Sequence, residues 1–323
     1  MVKKTYILLS FSLLIIILLG CQGPAPEPTS PAAPTATQIP QVTEAPESDP
    51  APSPEPTGEV SQSENKAFPT TAPDATPTED TRPLPADWQS WPVIPTLSPA
   101  MIEVYQQGIA LGNREDAFSK IGDCQIIPDA FLGLFDNPNY VLPDRIAHLQ
   151  ETLDRFQGSF GREGYSLKGG FVFPTVFSPL RADLAVCNPG ETPLECELRV
   201  HRPSFVYIAM EFRYEGRTAE THERYLRQTV EYALSRGIVP ILSTKADNYE
   251  GDHSLNLTTA GIAYEYDLPL INYWASVQYM PDKGLDYDFD QLGFHTTHEA
   301  RLVRSEQFLE VLDQLYRQAQ GDQ

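Results

Sequence analysis

The sequence predicts a three-layer α/β/α domain built on a doubly wound parallel sheet, carried behind a long proline-rich segment. Three observations predict it. From about residue 100 to 323, short apolar runs alternate with stretches of helical spacing. Such alternation specifies a parallel sheet covered by helices on both faces. One run, "SFVYIAMEF" at 204–212, is nearly all apolar, as a central strand buried on both faces is. Ahead of residue 100 the composition changes: 22–99 holds 19 of the chain's 30 prolines.

The chain opens "MVKKTYILLSFSLLIIILLGCQGP". Lys3 and Lys4 form a positive start, and Tyr6 to Leu19 is an apolar run too short for a comfortable membrane span. Leu18-Leu19-Gly20-Cys21 follows. This opening resembles a bacterial lipoprotein signal with its lipobox. The resemblance implies a signal peptide over 1–20, cleavage before Cys21 and lipid on the Cys21 thiol. It places the protein at the cell membrane, lipid-anchored on the outer face. Residues 21–99 then read as a tether. Proline, threonine, alanine and glutamate cannot bury enough apolar surface to offset the entropy of ordering, and frequent proline makes the chain extended and semi-rigid.

The net charge is −21. Phosphate binding needs a basic face, so nucleic acid is excluded as a partner. Loose docking on anionic lipid is disfavoured for the same reason. There are four cysteines. Cys21 is taken by the lipobox. Cys187 and Cys196 flank the turn-rich "NPGETPLE" and are the natural disulfide pair in an oxidising compartment. Cys124 is left alone, either buried or functional. No Cys/His set has zinc spacing and no glycine-rich phosphate loop occurs, so neither metal nor cofactor is expected. A monomer is expected.

Within 100–323 the elements follow in order. "AFSKIGDC" is a strand running into a turn. "DRIAHLQETLDRF" has helical spacing. "SFVYIAMEF" is the central strand, and "HERYLRQTVEYALSRG" a helix with Leu226, Val230 and Ala233 on one face and Gly237 as its stop. "IVPILSTKA" is the next strand, "NLTTAGIAYEY" a helix and "LPLINYW" another strand. "THEARLVRSEQFLEVLDQLYRQ" closes as a long helix with Leu302, Leu309, Leu312 and Leu315 inward. In such sheets ligands bind beyond the carboxyl ends of the strands. Three segments lie there: Gly122-Asp123-Cys124, "MEFRYEG" at 210–216, and "GLDYDFDQLGFHTTHE" at 284–299.

The order of these blocks resembles that of the SGNH or GDSL hydrolases, doubly wound, flavodoxin-like esterases, lipases and carbohydrate deacetylases. "KIGDC" is similar to the "GDS" after the first strand of that family, and "GFHTT" to its "DGxHxN" block. "RPSFVYIAMEFR" matches the strand that ends in a "GTND"-like motif. The resemblance covers roughly 115–315. It implies a nucleophile at Cys124, where the family has serine, and a base at His295. The acid that orients the base should stand three residues earlier, but Leu292 is there, and Asp288 and Asp290 are the replacements. For the oxyanion, Gly169 or Gly170 in "LKGGF" matches the family glycine, and Arg213 stands where the family has asparagine. Arg213 either donates to an anion with full charge or pairs with Glu211 or Glu215.

Two readings stay open. A thiolate paired with His295 can run acyl transfer, giving a hydrolase of cell-surface or polysaccharide esters, with a carbohydrate or acyl ester as ligand. Alternatively, the altered motifs mean that serine-esterase chemistry is lost or strongly altered, and Cys124 is an inert core thiol. The altered motifs favour the second. Asp286, Asp288 and Asp290 have the 1-3-5 spacing of a calcium loop, but Gln291 and Thr297 stand where that loop needs glycine and glutamate, so that loop type is rejected.

Overall fold

The chain divides into two units, Met1–Asp74 and Ala75–Gln323. The structure, a computed structural model, describes residues 82–210 and 218–321, all in the second unit. The signal segment, Cys21, Glu211, Arg213 and Tyr214 lie outside the described residues.

Four parallel strands pair in the order β1 (Arg114–Gly122), β2 (Pro203–Ala209), β3 (Val239–Ser243) and β4 (Leu270–Ile271). The register aligns Gly122 with Ala209, Ile208 with Leu242, and Leu242 with Leu270. The helices are α1 (Pro99–Ala110), α2 (Gln150–Arg155), α3 (Phe173–Val176), α4 (Pro193–His201), α5 (Ala219–Ser235), α6 (Ser254–Tyr266), α7 (Tyr273–Val277) and α8 (His298–Gln320).

All of β2 and β3 is buried, as strands covered on both faces must be. Alternate residues sort to opposite helical layers. Phe118 of β1 and Tyr207 of β2 reach Phe308 of α8, with ring centroids 5.1 and 5.0 Å apart, and Phe205 stacks on Tyr105 of α1 at 5.5 Å. On the other face Ser119 bonds Glu197 of α4. There Ile208 shares a small cavity with Leu226 of α5 and Leu255 of α6. On the outer side of β1, a single parallel bridge joins Gly122 to Leu167. Leu167 lies between β1 and β2 in sequence. The chain therefore winds to one side of β1 and then to the other, which makes the sheet doubly wound and puts its switch point at the carboxyl end of β1.

Local chemistry explains the boundaries. In α5, Leu226, Val230 and Ala233 repeat with helical period and are buried, and Thr218 accepts a bond from Thr221 N–H at the start. The helix stops before Gly237, which has φ +66°. Gly237 and Gly108 of α1 touch so closely that a Cβ on Gly108 would lie 1.8 Å from the Gly237 carbonyl oxygen.

Two expectations need correction. The sequence predicts a tether over 21–99, but residues 82–99 pack on the domain. Trp88 and Leu97 are buried, Arg82 pairs with Asp267 at 2.7 Å, and Asn272 Nδ2 donates to the carbonyls of Trp88 and Trp91 at 2.9 and 3.0 Å. Tryptophan has enough apolar area to offset the ordering of a proline-rich stretch. Second, "LPLINYW" pairs as a strand only at Leu270–Ile271. The Asn272 side chain then accepts from Ala275 N–H at 3.2 Å and turns the chain into α7. Leu309, Leu312 and Leu315 of α8 are buried as expected, whereas Leu302 is half-buried.

Candidate active site

Cys124 stands two residues past the end of β1. Asp123, itself buried, shapes the turn: its Oδ1 accepts from Gln125 N–H at 2.9 Å, and its carbonyl accepts from Ile126 N–H at 3.2 Å. Gly122 is required there, because a Cβ on it would meet the Ala209 carbonyl oxygen at 2.4 Å and the Ile126 side chain at 2.3 Å. The tight approach of β2 and the fold-back of Ile126 leave the half-buried Cys124 at the rim of the sheet.

His295 comes from the loop between α7 and α8. Asp286 N–H donates to His295 O at 2.8 Å, Thr297 N–H to Gly284 O at 2.8 Å, and Leu285 and Thr296 form an antiparallel bridge. These contacts close the loop 285–296 into a hairpin-like arm. Thr297 then caps α8 by accepting from Ala300 N–H at 3.2 Å. Gln125 Nε2 donates to Phe294 O, tying the arm to the turn that carries Cys124.

The two meet at Cys124 Sγ to His295 Nε2, 3.6 Å. On the other side of the ring, His295 Nδ1 bonds Asp290 Oδ2. Asp290 also accepts from the N–H groups of Leu292, Phe294 and His295, each at 3.1 Å. Burial alone would raise the Asp290 carboxyl, but the bonds from the His295 ring and from the Phe294 and His295 amides outweigh it and hold it near pKa about 2. A carboxylate only accepts, so it places the imidazole proton on Nδ1 and turns the Nε2 lone pair toward the thiol. Phe289 and Phe294 stand edge-on to the ring at 4.7 and 5.0 Å. The arrangement can deprotonate a thiol, hold the thiolate–imidazolium pair, and return the proton to a leaving group.

Of the expected residues, the structure brings together Cys124, His295 and Asp290. Asp288 is exposed, and as an alternative orienting acid it is corrected: Asp290 takes the role because its turn folds it back on His295. The three acids of the 1-3-5 spacing do not converge. Gly169 and Gly170 form the exposed tip of a turn in which Phe171 N–H donates to Lys168 O at 3.0 Å. Gly170 has φ +79°, as the third residue of a type II turn requires. Their turn borders a cleft of about 620 Å³ with Tyr165 and Arg181, and Cys124 is not among its walls. Arg213 lies outside the described residues. Cys187 and Cys196 are bonded, 5.3 Å between Cα atoms.

Sequence reasoning missed Gln125, Phe289 and Phe294. A polar side chain directly after the turn was the only available signal for Gln125. The two phenylalanines flank the Asp–His pair in "DFDQLGFH" and could have been read as its apolar walls.

No family model and no curated protein matches this chain. Among solved structures it is similar to GDSL-like lipases and acylhydrolases. A GDSL-like lipase from Bacteroides thetaiotaomicron is 16% identical, with 66% of this chain and 98% of that chain covered and a TM-score of 0.41. A lipase/acylhydrolase from Enterococcus faecalis is 15% identical, with 62% and 96% covered and a TM-score of 0.39. An acetyl xylan esterase from Geobacillus stearothermophilus is 12% identical, with 62% and 94% covered and a TM-score of 0.39.

Proposed function

We propose that the domain is a thiol-dependent ester or acyl hydrolase, held at a membrane surface through Cys21. One observation carries this reading over lost catalysis: the unbroken line Cys124–His295–Asp290. The acid beside the ring stands five residues before His295 rather than three.

The chemistry follows from the groups present. His295 Nε2 takes the Cys124 proton, and the thiolate attacks the ester carbonyl carbon. The carbonyl π-pair moves to oxygen, then returns as the C–O bond to the alcohol breaks. The imidazolium gives its proton to the departing alkoxide, leaving an acyl thioester on Cys124. Water, deprotonated by His295, attacks that thioester, and the proton passes back to the leaving thiolate. Asp290 remains ionised and holds the imidazolium in line.

The test is turnover of an activated aryl ester by wild type, Cys124→Ala and His295→Ala. Wild-type turnover should fall at least about a hundredfold in each variant. Equal rates in all three would sink the proposal.

A further inference from the structure

The Cys124–His295 pair, 3.6 Å from Sγ to Nε2, joins two separate pieces of chain. Cys124 belongs to the turn after β1, and His295 belongs to the arm 285–296. Asp290 lies on the arm itself, so its bonds to the His295 ring and N–H orient the ring within the arm. They do not fix where the arm stands against the turn. That spacing needs a contact running from one piece to the other.

Gln125 makes such a contact. It follows Cys124 directly and is 1% exposed. Its main chain is held by Asp123, whose Oδ1 accepts from Gln125 N–H at 2.9 Å. Its side chain reaches the arm, where Nε2 donates to Phe294 O. That carbonyl belongs to the peptide unit whose nitrogen is His295 N. The N–H at the other end of the unit donates to Asp290 Oδ2 at 3.1 Å. A peptide unit is planar, so its two ends turn together. Gln125 from the turn and Asp290 from the arm therefore grip the one plane from which the His295 side chain departs. The other half of the amide gives no such return: Gln125 Oε1 is buried with no hydrogen-bond partner among the described residues. A buried, unpaired acceptor costs stability. A methionine has similar length and no such oxygen; what it lacks is the donor to Phe294 O.

We propose that Gln125 is a positioning residue: through Phe294 O it sets the spacing between the Cys124 thiol and the His295 ring. It touches neither reacting atom and acts through the peptide that carries His295. This rests on the hydrolase reading above, for which it names the bond that keeps nucleophile and base together. Displacing a reacting group by about 1 Å costs on the order of a hundredfold in rate, so a small swing of the arm is enough to matter.

The experiment follows alkylation of the purified full chain by iodoacetamide across pH, read on the peptide that carries Cys124. It compares wild type, Gln125→Met, Gln125→Asn (an amide one methylene short) and His295→Ala. A thiol beside an imidazolium reacts well below the ordinary thiol pKa of about 8.5. Wild type should do so, and His295→Ala should not. Both Gln125 variants should shift toward His295→Ala, with a rate at pH 6 at least about tenfold below wild type. Urea midpoints taken alongside separate positioning from bracing: a residue that only stabilises the fold lowers the midpoint and leaves the pH of half-reaction in place. Profiles of both Gln125 variants that coincide with wild type overturn the proposal, as does a wild-type profile equal to that of His295→Ala. Turnover of an activated aryl ester distinguishes the two readings. Cys124-dependent turnover with unmoved alkylation profiles sinks the role of Gln125 and leaves the hydrolase standing. Moved profiles with no ester turned over by wild type support the role of Gln125 and sink the hydrolase.

Discussion

Asp290 is the residue on which the site turns. It gathers three backbone N–H groups and one ring N–H, so it orients His295 and builds the arm at once. Asp290→Asn can still bond the ring but can present it in the wrong tautomer and adds no charge. We expect turnover at least about a hundredfold lower, toward the roughly ten-thousandfold loss seen when a triad acid is made an amide. The pH profile of Cys124 alkylation should move upward, since the imidazolium beside the thiolate loses its counter-charge. An unmoved profile would show that Asp290 only braces the loop. The same carboxylate contributes stability that is complete above its unfolded pKa of about 3.9 and is lost as pH falls toward its folded value of about 2. Acid denaturation of wild type and Asp290→Asn should therefore converge across that window. Cys124 and His295 were legible because "KIGDC" and "GFHTT" resemble blocks of the GDSL hydrolases, and periodicity only located the strand and helix boundaries beside them. The choice between Asp288 and Asp290 was not, because it depends on a turn's side-chain bonds, which leave no periodic trace.

Among the elements, the contact of α1 with the loop between α5 and β3 tolerates no side chain. Gly108→Ala places a methyl 1.8 Å from a carbonyl oxygen, and helix propensity alone would favour the change. Overpacking wins: the expected loss is about 1–3 kcal/mol or more, read from the urea midpoint. A neutral or stabilised variant would mean that α1 shifts freely. On the other side of the sheet, the Cys187–Cys196 bond, nine residues apart, closes onto α4. Loop-closure entropy for so short a ring is about 2–3 kcal/mol. The double change Cys187→Ala/Cys196→Ala should lower the melting temperature by roughly 4–12 °C at a few degrees per kcal/mol. An unchanged melting temperature would show that the loop is held without it. The strands and long helices were readable from apolar spacing. The anchored segment around Trp88 was not, because its prolines masked two tryptophans whose partner, Asn272, lies 184 and 181 residues away.

At the scale of the whole molecule, a polar network crosses the edge of the sheet behind β1. Glu197, fully buried, takes bonds from Ser119, Arg162 and Tyr165 N–H, while Lys120 donates to Phe160 O. Burial, with Arg162 beside it, pushes the Lys120 ammonium down to about 7, against the pull of Asp136 and Glu197. Unfolded, Lys120 would keep its proton to about pH 10.4. Between these values the unfolded chain binds the extra proton, so stability climbs with pH, by up to roughly 1.4 kcal/mol per unit. Denaturant midpoints at pH 7 and 9 should show that climb in wild type and lose it in Lys120→Met; parallel slopes would refute it. A lysine inside an apolar strand looks like a surface residue in sequence, so this network was invisible there. The clamp around Asn272 has a mechanical meaning as well. The chain entering at residue 82 is gripped by Asp267 and Asn272, beside β4, while Cys124 sits beyond β1, three strands away at about 4.8 Å each. A pull on the entering chain loads the far edge of the sheet in shear and spends itself on Asn272 and Trp88. Cys124, beyond β1, stands on the far side of the sheet from that grip.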